Sequence, residues 1–298
     1  MKTRLQIRLA AVRTSRSIGD LVVNRDWVQA QILAGIARSA ALSAALVFKG
    51  GSALQKVFFG ASYRFSEDLD FTGLPSTPRR AALQAALHAV CNDVERYAAD
   101  RTGERFSLTC TRYEEKLPHP TQEVFKFAFV MPWQRQSSGH VKLEITFDEP
   151  IVLPTELRPL LVTYDDADAN IVSYCVEEVI LEKLRAAPQT LANREKRIAG
   201  GRGNWLRARS RDFYDLSQII DSSLMVSWPR VRESLAEKCR VRNVAIASIA
   251  DIFAPEIIEE VKRQWKAQLG DFVPVPLPDV DELLTRLEPA LAEYLGWK

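Results

Sequence analysis

An α+β chain in two lobes is what the sequence predicts, with a sheet-bearing N-terminal domain over residues 1–168 and a mainly helical C-terminal domain over residues 169–298. Three observations lead there. Residues 139–148 alternate without a break, with His140, Lys142, Glu144, Thr146 and Asp148 on one face and Val141, Leu143, Ile145 and Phe147 on the other. That is the period of a strand with one face in a core and the other in a cleft. Two further strand-like runs, 106–113 and 123–131, precede it and are separated by turns containing Pro, Gly and Ser. Beyond Pro159 the character changes: one more strand is expected over 160–164, and helical spacing then dominates almost to the end. The boundary falls within 165–172.

The remaining elements follow in chain order. Apolar residues Trp27, Ile32, Ile36 and Ala40 recur at helical spacing over 24–42, and LVFKGG then reads as a buried strand entering a glycine turn that opens another helix. A short apolar strand carries Asp68 to Phe71, and Ser76-Thr77-Pro78 opens a helix that runs to about Tyr97. Helices are expected over 175–187, 206–221, 228–239, 256–269 and 279–294, with VPVPLPD as a stiff connector before the last.

Composition narrows the classes. With 298 residues, of which 47% are hydrophobic, the chain can bury a sizeable core. A net charge of +2 gives little global attraction to nucleic acid, so any basic footprint has to be local. The basic, amphipathic N-terminus lacks the apolar run of a secretory signal, and no window approaches a membrane span, so a cytoplasmic protein without a membrane partner is expected. The four cysteines contain no C-x-x-C and the three histidines no metal-ligand spacing, so neither a disulfide framework nor a zinc site is indicated.

The densest chemistry lies in KGGSALQKVFFGASYRFSEDLDF, residues 49–71. Asp68 and Asp70, two apart on a strand, leave the same face, and paired carboxylates collect divalent cations. Gly50 and Gly51 leave backbone N–H groups open to phosphate, Ser52 adds a hydroxyl, and a helix starting there points its positive end the same way. Phosphate on one side and metal on the other suits nucleotidyl transfer. Alone, an Asp-x-Asp is more often a turn or a cap than a metal site.

This run resembles the signature of the DNA polymerase β-like nucleotidyltransferase superfamily, and in particular its AbiEii toxin branch. There, Lys-Gly-Gly-Ser/Thr-Ala-Leu is followed by Arg-Phe-Ser-Glu-Asp-hydrophobic-Asp, matched here by residues 49–54 and 64–71. The resemblance, which extends over roughly residues 45–220, implies a mixed-sheet nucleotidyltransferase core. It also implies a third acidic ligand on a neighbouring strand, for which Glu144 is chosen, with Asp148 its competitor on the same face.

Two later elements carry the resemblance onward. In VEEVILEKLRA, an amphipathic helix with Val179, Ile180 and Leu184 on its apolar side, the branch's lysine falls on Lys183 and is expected at the nucleotide phosphates. Residues 211–216, Arg-Asp-Phe-Tyr-Asp-Leu, match an element whose aspartate supports the active site, with Asp212 preferred to Asp215. Without the resemblance this segment reads as an ordinary helix start. Between them lie Arg194, Arg197, Arg202, Arg207 and Arg209, interrupted by glycines, with Trp205 available to stack on a base. Such a segment is either an RNA-backbone track or a solvated basic loop.

The resemblance thus implies a metal-dependent enzyme in which Asp68, Asp70 and Glu144 bind two Mg²⁺ ions, with Mn²⁺ as a substitute, while Gly51, Ser52 and Lys183 hold an NTP. It implies a toxin that adds NMP to an RNA acceptor, the tRNA 3′ end above all, and so blocks translation, paired with a cognate antitoxin. Two alternatives stay open: NMP transfer to a protein hydroxyl, and a catalytically inactive nucleotide- or RNA-binding module.

Overall fold

The structure, a computed structural model, describes residues 3–113, 121–137, 139–161, 168–273 and 276–297. The chain forms two compact units, Met1–Glu149 with Thr155–Ser173, and Pro150–Pro154 with Tyr174–Lys298.

The first unit opens with helices α1 (Arg4–Arg16) and α2 (Asp20–Arg38). Trp27, Val28, Ile32 and Leu33 of α2 are fully buried. The Trp27 ring meets Phe106 edge-on at 5.0 Å. A chain reversal after Ser39 leads to β1 (Leu46–Lys49), and the single helical turn α3 (Gly50–Ala53) continues as a π-type turn over Leu54–Phe59. Next come β2 (Asp68–Gly73), α4 (Arg80–Thr102), β3 (Ser107–Arg112), β4 (Gln122–Val130), β5 (Gly139–Thr146), β6 (Glu156–Pro159) and β7 (Asn170–Ser173).

Among the described residues these strands form one seven-stranded sheet in the order β3-β4-β5-β2-β1-β7-β6. It is mixed: β2 runs parallel to β5 and β1 to β7, and the other neighbours are antiparallel. The alternation read in β5 sends Val141, Leu143 and Ile145 fully into the core. Leu69 and Phe71 do the same from β2, and the Phe71 ring lies 5.2 Å from that of Phe48 on β1.

One local expectation gives way to a longer-range contact, and another falls mostly where the chain is not described. Ser76-Thr77-Pro78 does not cap α4: the Thr77 hydroxyl donates to Ala45 O at 2.6 Å, and the helix begins at Arg80. Its first N–H is served by Glu123 of β4, whose carboxylate oxygens each lie 3.1 Å from Arg80 N. The strand expected over 160–164 falls mostly outside the described residues, and β6 ends at Pro159.

The second unit is helical, with α5 (Val176–Ala199), α6 (Ser210–Asp221), α7 (Trp228–Arg240), α8 (Ile249–Ile252), α9 (Pro255–Leu269) and α10 (Val280–Leu295). α5 runs well beyond the expected end at 187 and carries Pro188 within it. Glu178, which the helical wheel leaves off the apolar side, is fully buried. It accepts from Val152 N at 3.1 Å and Leu153 N at 2.9 Å, and from the Nζ of fully buried Lys238 at 2.8 Å. Those bonds fix Pro150–Pro154 to the helical unit. Lys238 also donates to Pro150 O at 2.8 Å and lies 5.4 Å from the Tyr174 ring centroid. Removing one partner of such a pair strands a buried charge, so Glu178→Ala is expected to cost about 3–5 kcal/mol, read from urea denaturation.

Candidate active site

In the first unit the strand register does the assembling. β2 and β5 pair with Asp68 opposite Lys142 and Asp70 opposite Glu144. Residues paired across neighbouring strands share a face, and the intervening Leu69, Phe71, Leu143 and Ile145 are buried, so these four polar side chains stand together on the other face. On the far side of β2, Lys49 of β1 is paired with Asp70. Asp148 lies beyond the end of β5.

The glycine turn follows β1 directly. Gly50 adopts φ +78°, and a Cβ built there would lie 2.8 Å from Asp70 Oδ2, so both its backbone conformation and its closeness to the carboxylate require glycine. Gly51 and Ser52 follow within α3. The Ser52 side chain is fully buried, and its hydroxyl has no hydrogen-bond partner among the described residues. An orphaned hydroxyl beside a glycine turn is a group that a phosphate oxygen would satisfy.

The donors on the acidic face are all carboxylate oxygens, the chemistry that Mg²⁺ and Mn²⁺ prefer. Their side chains are not gathered for it: among the described residues no three His, Cys, Asp or Glu side chains form a metal-holding group. Glu144 is engaged instead. Its Oε1 is in close contact with Lys142 Nζ, and its Oε2 accepts from Gln122 Nε2 of β4 at 2.8 Å. Burial lowers the Lys142 pKa, but the bond and charge of Glu144 and the charges of Asp68 and Asp70 outweigh it and hold the ammonium above its ordinary value. Neither Lys142 nor Gln122 stood out from sequence, although the alternation of 139–148 already put Lys142 on this face.

The Arg-Phe-Ser-Glu residues before β2 serve as supports. Gln29 Nε2 of α2 donates to Ser66 O at 3.0 Å, Arg25 pairs with Glu67 at 3.4 Å, and Arg64 is buried with Nη1 donating to Phe65 O at 3.1 Å. Arg16 of α1 stacks on the Phe65 ring at 4.2 Å.

In the second unit Lys183 of α5 is buried and gripped by two carboxylates of α6, Asp212 Oδ1 at 2.9 Å and Asp215 Oδ2 at 2.6 Å. Asp215 is fully buried, whereas Asp212 keeps 22% of its side chain exposed and also meets Arg209 at 3.4 Å. The two candidates of the Arg-Asp-Phe-Tyr-Asp-Leu element therefore share one lysine, and Asp212 is the partner open to solvent. Burial opposes ionisation of Asp212, but the charges of Lys183 and Arg209 and the Lys183 hydrogen bond prevail and hold its carboxyl below the usual range.

The basic segment largely serves itself. Arg194 Nε donates to Asn204 O at 3.0 Å, Arg197 Nη2 donates to Trp205 O at 2.7 Å, and the Arg197 guanidinium stacks on the Trp205 ring at 3.9 Å. Arg202 and Arg207 are exposed. No helix among the described residues is long and apolar enough to cross a membrane.

A family model described as "Nucleotidyl transferase AbiEii toxin, Type IV TA system" matches residues 31–286. No curated protein matches the chain by sequence. Among solved structures, the nucleotidyltransferase toxin MenT4 of Mycobacterium tuberculosis has a similar fold, with a TM-score of 0.57 and 18% identity over 97% of this chain and 88% of that one. JHP933 of Helicobacter pylori is similar at a TM-score of 0.55 and 15% identity, covering 94% of each chain.

The lowered Asp212 pKa carries a definite sign. Ionised Asp212 contributes stability above the unfolded value of about 3.9, and that contribution disappears as pH falls through the lower folded value. The stability difference between the wild type and Asp212→Asn, followed by urea unfolding, is therefore expected to stay level from about pH 5 to 7 and to shrink below about pH 4.

Proposed function

The chain belongs to the AbiEii family of nucleotidyltransferase toxins of type IV toxin–antitoxin systems, and from that premise we propose that it transfers NMP from an NTP to an RNA hydroxyl, the tRNA 3′ end, and so blocks translation. Membership implies an NTP substrate and a cognate antitoxin. One observation carries the chemical reading: the register that sets Asp70 opposite Glu144, with Asp68 beside them and the Gly50-Gly51-Ser52 turn against Asp70.

In the proposed reaction the acceptor hydroxyl oxygen attacks the α-phosphorus. The bond from that phosphorus to the β-phosphate oxygen breaks, pyrophosphate leaves and the hydroxyl proton passes to solvent. Asp68, Asp70 and Glu144 would hold two Mg²⁺ ions, or Mn²⁺, which supply charge neutralisation at the phosphoryl oxygens and lower the pKa of the attacking hydroxyl. Gly51 offers a backbone N–H, and Ser52 its buried hydroxyl, to the polyphosphate. Lys183 is assigned to nucleotide phosphate on the family resemblance, and Asp212 and Asp215 act as positioning residues that fix its ammonium. Arg202 and Arg207, exposed on the loop that Arg194 and Arg197 hold together, support an RNA acceptor.

Asp70→Asn keeps the side-chain shape and removes the charge. It is expected to cost several kcal/mol of transition-state stabilisation, on the order of a thousandfold in pyrophosphate release, with a much smaller change in NTP affinity. Transfer at the wild-type rate would remove the assignment.

Incubation with total RNA and each α-labelled NTP, with Mg²⁺ present or chelated, is expected to put label on tRNA-sized RNA in the Mg²⁺ arm alone. Label on a protein band would point to protein nucleotidylation, and nucleotide binding without turnover to an inactive module.

A further inference from the structure

We infer that Lys142 is a resident cation of the acidic face, and that a divalent ion binds beside Glu144 by taking the place of the Lys142 ammonium rather than by filling a vacant carboxylate cage. This rests on the metal-assisted reading above.

The first ground is the register. Lys142 lies opposite Asp68 and two residues before Glu144, so it shares one face of the sheet with three carboxylates. Negative side chains on one face repel one another even without converging, and Lys142, like Lys49 opposite Asp70, offsets part of that repulsion.

A second ground is that both Glu144 oxygens are taken, Oε1 by Lys142 and Oε2 by Gln122. Each oxygen keeps a second lone pair, but the ammonium against Oε1 repels an incoming cation, so ligation by Glu144 is favoured by the departure of Lys142. Lys142 is the one equipped to leave: its side chain is 40% exposed, so the ammonium can swing into water while its alkyl stem stays on the sheet.

The third ground is on the opposite flank. β4 pairs Lys126 with Lys142, two like charges directly across from one another. Such a pair is unfavourable, so Lys126 repels the Lys142 ammonium from the β4 side while Asp68 attracts it from the β2 side and Glu144 along its own strand. The same repulsion lowers the cost of releasing Lys142 once a divalent ion arrives. Metal binding becomes an exchange of one cation for another, and affinity is set by the difference between the two.

Manganese binding to the full chain, measured by EPR titration of free Mn²⁺ at fixed ionic strength, tests this without any turnover. Lys142→Met is expected to tighten Mn²⁺ binding about tenfold, because the competing ammonium is gone, whereas Lys126→Met, which removes the same charge without touching Glu144, is expected to tighten it less than about threefold. Lys142→Arg restores a competing cation and is expected to return the affinity toward wild type. Lys142→Gln serves as a second neutral variant should Lys142→Met fail to fold.

Equal Mn²⁺ affinity in the wild type and the neutral Lys142 variants would overturn the inference, as would equal tightening by Lys126→Met, which would reduce Lys142 to one charge among several. Should no protein in the series bind Mn²⁺ differently from Asp70→Asn, the metal-site reading itself fails. That outcome is distinct from a wild type that binds the ion and does not respond at Lys142.

Discussion

The parallel pairing of β2 with β5 is the constraint on which the candidate chemistry depends. It sets Asp70 opposite Glu144 and Asp68 opposite Lys142, and it buries Leu69, Phe71, Leu143 and Ile145 on the reverse side. Strand side chains alternate with a period of two, so a slip of one residue would turn the carboxylates into the core and the aliphatic residues to the cleft. The buried set makes that slip prohibitive. Hydrophobic burial on one face therefore fixes the relative positions of charged groups on the other, and β1 extends the arrangement by pairing Lys49 with Asp70 and placing the Gly50 turn against it.

Charge pairing recurs as a means of holding parts in place, with burial deciding how each pair is used. Lys56 is buried against Asp26 at 2.5 Å, and Lys238 against Glu178 at 2.8 Å, with side chains almost wholly out of water. Burial depresses the Lys56 pKa, and the Asp26 charge and hydrogen bond counter it. Such closed pairs lock a turn or a helix and have no free face for a ligand. Lys183 is different in degree: of its two partners Asp215 is sealed and Asp212 is partly open, so the cation is fixed from below and approachable from one side. Lys142 is more open still, on the surface of the sheet with its side chain 40% exposed. From Lys238 to Lys142 the same ion pair passes from scaffold to exchangeable ligand as solvent access grows.

Much of the candidate site was legible before any fold was known. Asp68 and Asp70 could be assigned to one face because strand period is a local property, and the Gly-Gly-Ser turn lies close by in sequence. Glu144 was harder, since its face also carried His140, Lys142, Thr146 and Asp148, and only the register with β2 tells which of these stands opposite Asp70. A helical wheel leaves Glu178 off the buried side, and its burial depends on Val152, Leu153 and Lys238, remote in the chain. Thr77 was read as a cap, yet its hydroxyl is used by Ala45. In each case a local rule gave way to a partner that local rules cannot see.

By itself the sequence determined the α+β composition, the alternating faces of the strands, the amphipathic helices and the family to which the chain belongs, because these follow from short-range periodicity and from motifs a few residues long. Tertiary structure alone decided which strands are neighbours and in what register, that both aspartates of α6 converge on Lys183, and that Glu144 is shared between Lys142 and Gln122. Those outcomes depend on the burial of whole faces and on electrostatic pairing between distant segments, and both are energies of the folded arrangement rather than properties of any one stretch of chain.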